Sequence, residues 1–310
     1  MRLLFMGTPE AAVPTLRRCL EDGHEVVAVW TQPDRPSGRG NKLTRSPVKE
    51  FALAHGLTVH QPAKIRNEET LKLFASYEAD AAVVVAYGRI LPPPYLGAPR
   101  FGCINVHFSL LPQYRGAAPV NWAIVRGENE TGVTTMQIDE GLDTGAILLQ
   151  RGTAIEETET APELMARLSL MGADALSETL ARLGELAPRE QSEEKATFAP
   201  MLRREDGLID WALDAAQIER RVRGFQPWPN AFTTYNSQRL VIWRASILED
   251  ELLRGTAGEI MKARGDELIV SCGDETQLRL HEVQPEGKRR LSVRDFLNGA
   301  RVRAGDRIGT

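Results

Sequence analysis

Residues 81–86 read Ala-Ala-Val-Val-Val-Ala, and this unbroken apolar run constrains the fold more than any other stretch of the chain. A strand with one wet face alternates apolar and polar side chains, whereas a strand covered on both faces does not. Strands of the second kind belong to parallel sheets with helices on both sides. Further short apolar runs, at Leu3 to Met6, Val26 to Trp30, Cys103 to His107 and Val133 to Ile138, are separated by stretches with helical signals. Pro14 suits the first turn of a helix that stops near Gly23, and Ser46-Pro47 suits an N-cap and first helical position ahead of Phe51 and Leu53. Thr160-Ala161-Pro162-Glu163 has capping-box spacing, and Leu164, Leu168, Met171, Leu176 and Leu180 follow at roughly helical intervals. The expected fold class is α/β, with a mostly parallel sheet domain over residues 1–186.

A chain of 310 residues is long for a single hydrophobic core. Its character changes at 187–206, where Pro188-Arg189-Glu190-Gln191-Ser192-Glu193-Glu194-Lys195 has no apolar period. This stretch is expected to be a linker over the surface. Beyond it, Ala215 to Val222 reads as helix. Ala231 to Tyr235, Leu240 to Ile247, Ala257 to Met261, Leu268 to Cys272 and Leu278 to Val283 read as strands. Five short strands at such spacing predict a small antiparallel β-barrel domain over 207–310. Ser292-Val293-Arg294-Asp295 caps a last short helix.

Composition excludes some classes. With 42% hydrophobic and 26% charged residues, the chain is neither disordered, collagenous nor coiled coil. Cys19, Cys103 and Cys272 are far apart and odd in number. They make neither a disulfide framework nor a zinc pattern, so no metal and a reducing compartment are expected. The apolar run at the start is too short for a signal peptide, and no run approaches the ~18 residues of a membrane helix. A cytoplasmic protein with no membrane association is expected. Net charge is −4, so bulk charge announces no nucleic acid, although residues from 201 onward carry 18 Lys and Arg against 17 Asp and Glu while the first 200 carry 20 against 25.

The strongest local feature is Gly102-Cys103-Ile104-Asn105-Val106-His107-Phe108-Ser109-Leu110-Leu111-Pro112, which begins as a strand and breaks at its proline. Asn105 and His107 are two apart, so on extended backbone their side chains leave the same face. They also lie at the carboxyl end of the strand, where open α/β sheets bind ligands. A buried histidine with a hydrogen-bonded asparagine would serve structure alone equally well. The second feature, Glu140-Gly141-Leu142-Asp143-Thr144-Gly145, sets one acid between two glycines after the strand Val133 to Ile138. Such a loop can bring the acid to a neighbouring strand end, although a plain turn uses the same residues.

Together the two segments resemble the folate-dependent formyltransferase family, in its Asn-x-His-x-Ser-Leu-Leu-Pro run and Gly-x-Asp-x-Gly loop. The resemblance extends over essentially the whole chain. Thr31-Gln32-Pro33-Asp34-Arg35-Pro36-Ser37-Gly38-Arg39-Gly40, Arg115-Gly116-Ala117-Ala118-Pro119 and Gln226-Pro227-Trp228-Pro229 are similar to the branch whose acceptor is methionine on initiator tRNA. What the resemblance implies is a Rossmann-like catalytic domain, an OB-like C-terminal domain that binds tRNA, and 10-formyltetrahydrofolate as formyl donor. It also implies a catalytic trio of Asn105, His107 and Asp143, with Ser109, Leu110, Leu111, Pro112, Ile90 and Leu91 about the reduced folate. Arg35, Arg39, Lys42 and Arg45 would grip the tRNA phosphates, Arg39 above all. On positive charge alone, and not on the resemblance, Arg203, Arg204, Arg220, Arg221 and Arg223 would carry the tRNA further. A monomer is expected.

Formyl transfer from N10 of a reduced folate to an amine passes through a tetrahedral oxyanion. The leaving nitrogen must gain a proton and the attacking ammonium must lose one. Such a site needs an oxyanion donor and a proton carrier that titrates near neutrality. Asn105 offers the first as an amide N–H, and His107 the second. Asp143 would orient the imidazole and favour its charged form. No nucleophile elbow is present, and a covalent intermediate is not required.

Three rival readings remain, one of them a non-catalytic RNA-binding protein, against which the intact trio speaks and which any formylation activity would eliminate. The same trio would serve a folate formyltransferase acting on a small amine, such as glycinamide ribonucleotide or an amino sugar nucleotide. The basic loop and the second domain speak for the larger acceptor. A dinucleotide-dependent oxidoreductase shares the strand–glycine–helix opening, but Phe5-Met6-Gly7-Thr8-Pro9 lacks the G-x-G-x-x-G fingerprint.

Overall fold

A computed structural model describes residues 1–37, 42–248 and 255–309. Two compact units emerge from its contacts. The first comprises Met1–Pro119, Glu130–Ala154 and Met165–Ala199, and the second Val120–Asn129, Ile155–Leu164 and Pro200–Thr310.

The first unit holds a seven-stranded sheet. Its strands are β1 (Arg2–Gly7), β2 (Glu25–Trp30), β3 (Val59–His60), β4 (Ala81–Val85), β5 (Cys103–His107), β6 (Glu130–Gln137) and β7 (Ile147–Ala154). Their spatial order is β7-β6-β5-β4-β1-β2-β3. Neighbours from β3 across to β5 pair parallel, while β6 runs antiparallel to both β5 and β7. This is the mostly parallel arrangement that the apolar run predicts, and it is Rossmann-like as the resemblance implies. All five residues of β4 are buried, its valines included. Each fully buried valine contributes roughly 1.5–3 kcal/mol relative to exposure.

The chain order of the strands reverses between β1 and β4, the switch point where such sheets open a crevice. There the carboxyl ends of β1, β2 and β4 are tied together by polar side chains. Thr8 Oγ1 donates to the Tyr87 carbonyl at 3.2 Å, Gln32 Nε2 donates to the same oxygen at 3.0 Å, and Arg89 Nε donates to Gln32 Oε1 at 3.1 Å. Helix Pro47–Ala54 begins as expected, with Ser46 Oγ accepting from Lys49 N at 3.1 Å. At the start of helix Ala161–Ala181, Glu163 accepts from the Thr160 backbone N–H at 2.9 Å.

Residues 187–206, expected as a linker, divide by their contacts. Arg189 exchanges two backbone hydrogen bonds of 2.8 Å with Ile147, and Phe198–Ala199 pairs parallel with Arg115–Gly116. Residues up to Ala199 thus belong to the first unit, and the second resumes at Pro200. Backbone pairing needs no hydrophobic period, so the polar side chains of the stretch gave no sign of it.

In the second unit β8 (Phe232–Tyr235), β9 (Gln238–Ile247), β10 (Ile260–Arg264), β11 (Glu267–Ser271) and β12 (Gln277–Pro285) form an antiparallel sheet in the order β8-β9-β12-β11-β10, with β13 (Leu291–Ser292) also on β12. Irregular register between Ile242 and Ala245 bends β9, and the sheet curls as a half-barrel. Residues 305–309 bond to both of its outer strands. Ile260 N donates to Asp306 O at 2.8 Å on one edge, and Gly309 N donates to Thr234 O at 2.8 Å on the other. Ile218, Val222, Ile242, Leu268, Val270, Leu278, Leu280, Val283 and Phe296 fill the core. Ser292 caps helix Val293–Gly299 by accepting from Asp295 N at 3.1 Å. No helix among the described residues is long and apolar enough to cross a membrane.

Candidate active site

β5 ends at His107, and Asn105 is its one partly exposed residue. Pairing with β4 on one side and β6 on the other fixes the backbone at Asn105, opposite Val84 and Met136. Among the described residues the Asn105 amide has no hydrogen-bond partner, so its N–H groups stay available. After His107 the chain turns back, and the carbonyl of Tyr114 lies 3.0 Å from His107 Nε2. A carbonyl oxygen only accepts, so Nε2 carries the hydrogen of that bond. Nδ1 is then the ring nitrogen left for proton exchange, and it faces Asp143 Oδ2 at 3.7 Å. The two side chains are only 7% and 16% exposed.

Asp143 takes a left-handed backbone conformation, φ 54°, at the tip of the turn after β6. The turn is tight because Gly145 packs against the carbonyl of Gln137, with which any side chain would collide. The carboxylate is held from the opposite side as well: Gly116 N donates to Oδ2 at 2.8 Å. Gly116 itself has φ 124°, and a Cβ there would lie 2.5 Å from the Ala199 carbonyl oxygen. The structure therefore brings His107 and Asp143 together at the carboxyl end of β5, with Asn105 two residues back on the same strand face.

The residues expected about the folate fare differently. Thr134 Oγ1 donates to Ser109 O at 2.6 Å and accepts from Leu111 N at 3.2 Å, and Gln150 Nε2 donates to Leu111 O at 2.8 Å. Ser109 is buried with its hydroxyl donating to Gln113 O at 2.6 Å, and Leu111 is buried against Met136 and Ile147. Leu91 is buried in the core beside Tyr87 and Tyr95. These three side chains shape the loops, whereas Leu110 and Pro112 are partly exposed and Ile90 is 66% exposed. Ile90 also walls a cleft of about 460 Å³ with Ala63 and Ile65, rimmed by Lys64, Arg66 and Arg89. Burial pushes the Cys103 thiol up to about 12, which leaves no thiolate at neutral pH to act as a nucleophile beside Asn105.

Arg35 and Arg45 are exposed, at the base of a hairpin in which Arg35–Ser37 pairs antiparallel with Lys42–Thr44. The backbone of Lys42 pairs with Ser37, and Arg39 lies outside the described residues. The hairpin follows Asp34, which is held by Lys49 Nζ of helix Pro47–Ala54 at 2.7 Å and by Gln61 Nε2, just after β3, at 2.8 Å. The Lys49 ammonium and the Gln61 amide hold the Asp34 carboxyl below the usual carboxylate range. Arg203 and Arg204 are exposed in the second unit.

Sequence reasoning missed several residues around Asp143. Arg115 is 1% exposed and meets Glu193 through two hydrogen bonds of 2.9 and 3.0 Å. Its Nε and one terminal nitrogen also donate to Gln191 Oε1, at 3.1 and 3.0 Å. Gln191 Nε2 in turn donates to the carbonyls of Asp143 and Gly145, both at 2.8 Å. Arg115 lies in a motif the sequence singled out, but Gln191 and Glu193 sit in a polar stretch that carries no signal.

Comparison with known proteins identifies the family. Residues 1–180 match the formyl transferase family, and residues 201–301 match the formyl transferase C-terminal domain. Methionyl-tRNA formyltransferase of Geobacter metallireducens is 49% identical over 311 residues, covering 100% of this chain and 99% of that protein. Among solved structures, the methionyl-tRNA formyltransferase from Clostridium thermocellum superposes with TM-score 0.58 at 20% identity, over 81% of this chain and 95% of that one. The sugar 3N-formyl transferase WlaRD, solved with dTDP and 5-N-formyl-THF, superposes with TM-score 0.67 at 18% identity, over 93% and 99%. At these identities the two structures speak for the fold, and the relative from Geobacter for the branch. The chain belongs to the formyltransferase family, in the branch of the methionyl-tRNA formyltransferases.

Proposed function

We propose that this protein transfers the formyl group of 10-formyltetrahydrofolate to the α-amino group of methionine on initiator tRNA. The observation that carries the reading is the convergence of His107 Nδ1 and Asp143 Oδ2, 3.7 Å apart, at the end of the strand that presents Asn105. That arrangement supplies a neutral donor and a charge-backed proton carrier side by side, which acyl transfer to an amine requires. The full-length likeness to methionyl-tRNA formyltransferases supports the acceptor.

In the proposed reaction the methionine amine attacks the formyl carbon, and the carbonyl electron pair moves onto oxygen. The Asn105 amide donates to that oxyanion. An N–H aimed at developing charge in this way is worth about 2.7–4 kcal/mol. His107 takes the proton that the attacking ammonium loses, at Nδ1, since Nε2 is engaged with Tyr114 O. Asp143 stabilises the resulting imidazolium. Collapse of the oxyanion breaks the bond to N10, which leaves as the amine, and the one proton it gains balances the one that the attacking nitrogen has given up to His107. Ile90, Leu110 and Pro112 present apolar surface for the flat rings of the donor, and the cations at the rim of the cleft beside Ile90 suit its carboxylates.

The acceptor is tested by comparing charged initiator tRNA with glycinamide ribonucleotide and an amino sugar nucleotide under the same donor. Transfer to the tRNA is expected to exceed transfer to either small amine by at least ~10³-fold in kcat/KM. A preference for a small amine would overturn the acceptor reading and leave the trio intact.

A further inference from the structure

The segment 191–199 is joined to 112–118 at its far end, 197–199, by backbone bonds: Thr197 N to Pro112 O at 3.2 Å, Arg115 N to Thr197 O at 2.8 Å and Ala118 N to Ala199 O at 3.3 Å. Its side chains then reach the turn that carries Asp143. The Gln191 amide has two hydrogens, and each meets a carbonyl of that turn, Asp143 O and Gly145 O. Its oxygen receives two N–H groups from Arg115, so the amide cannot flip without losing bonds at both ends. Arg115 is fixed by the paired bonds to Glu193, and the residue after it, Gly116, donates to Asp143 Oδ2. The same oxygen faces His107. The turn is thereby held at both its backbone and its carboxylate, and both attachments lead back to Arg115.

We infer that Gln191, braced by Arg115 and Glu193, is a positioning residue of the active site that sets the Asp143 carboxylate against His107. A left-handed φ at a non-glycine residue is unfavourable by itself. Asp143 keeps φ 54° because the two carbonyls flanking the turn are anchored to one amide group. Without that anchor the turn relaxes and the carboxylate moves off the imidazole. A displacement of about 1 Å in a catalytic group lowers turnover by up to about 10²-fold. Gln191 touches neither the donor nor the acceptor in this account, so binding of both is unchanged.

This inference rests on the proposed role of Asp143, and a double-mutant cycle on the full-length protein separates the two. Formyl transfer to charged initiator tRNA is followed in single turnover for wild type, Gln191→Leu, Asp143→Ala and the double variant. Gln191→Leu is expected to lower the rate constant about 10- to 100-fold, with half-saturating donor and tRNA concentrations within about three-fold of wild type. Added to Asp143→Ala, the same substitution is expected to change the rate less than about two-fold, because nothing is left to position. Gln191→Glu retains an acceptor for Arg115 but loses both donors to the turn, and is expected to resemble Gln191→Leu. Should Gln191→Leu fail to fold, Gln191→Glu completes the same cycle. Full activity in either Gln191 variant, or equal losses in the wild-type and Asp143→Ala backgrounds, would overturn the positioning role. Near-normal activity of Asp143→Ala alone would instead overturn the reading of the trio.

Discussion

Replacing Asp143 by asparagine removes one charge and little else. The amide keeps the shape of the carboxylate and an oxygen that can accept from Gly116 N, now at 2.8 Å. The charge it removes lies 3.7 Å from His107 Nδ1, between side chains that are 16% and 7% exposed. For two full charges at about that distance, an effective dielectric constant of ~20 gives about 4 kcal/mol. In the transition state the imidazole has gained only part of its proton, so about half of this, ~2 kcal/mol, is the expected loss. The corresponding fall in kcat is about 30-fold, with ~10³-fold as the ceiling if the proton is fully transferred. Single-turnover formyl transfer to charged initiator tRNA at saturating donor measures this directly. Donor binding, followed by fluorescence or calorimetry, is expected to change less than about three-fold. A fall in kcat below about five-fold, or a loss confined to KM, would refute the electrostatic role of Asp143.

Gly116→Ala is expected to cost about 2–4 kcal/mol of stability, because φ is 124° and the new Cβ would meet the Ala199 carbonyl at 2.5 Å; an unchanged urea midpoint would contradict this. Replacement of Arg39 by alanine is expected to lower kcat/KM for intact initiator tRNA by ~10-fold or more while leaving donor binding unchanged, and an unaltered kcat/KM would remove that residue from RNA recognition. Burial holds His24, His60 and His281 below the ordinary histidine range. Their neutral forms therefore contribute stability that is complete above the unfolded value of ~6.5 and is lost as pH falls from there through the folded values. Urea midpoints are expected to drop between pH 7.5 and pH 5, less so in His60→Gln, and a midpoint that rises on acidification would refute the assignment.

How much of this was legible beforehand differs by residue. The run at 81–86 announced a strand buried on both faces, and β4 is that strand. Ile147–Ala154 escaped notice because it is an edge strand whose later residues, Gln150-Arg151-Gly152-Thr153, are polar and carry no apolar alternation. Val59–His60 is simply too short to show a period. Ile90 and Leu91 look alike in sequence, yet one is 66% exposed and the other is buried in the core. Nothing local separates them, since the difference is set by what packs on the crossover after β4. In the active site, the Asn-x-His spacing fixed which strand face would carry the chemistry. The choice between the two imidazole nitrogens was invisible, because it depends on the carbonyl of Tyr114, a backbone group with no sequence signature. The brace through Gln191 was hidden for the same reason: its targets are the carbonyls of Asp143 and Gly145, and any residue could have supplied those.

The central claim, that Asn105, His107 and Asp143 move a formyl group from a reduced folate to an aminoacylated tRNA, is tested most directly by one measurement. Wild-type protein and Asn105→Ala are mixed with 10-formyltetrahydrofolate labelled in the formyl carbon and with charged initiator tRNA, and label in the esterified methionine is followed in single turnover. The expected result is label on the methionine amine with wild type, and a rate constant about 10²–10³-fold lower with Asn105→Ala at unchanged donor binding. Absence of label with wild type, or an Asn105→Ala variant as fast as wild type, would contradict it.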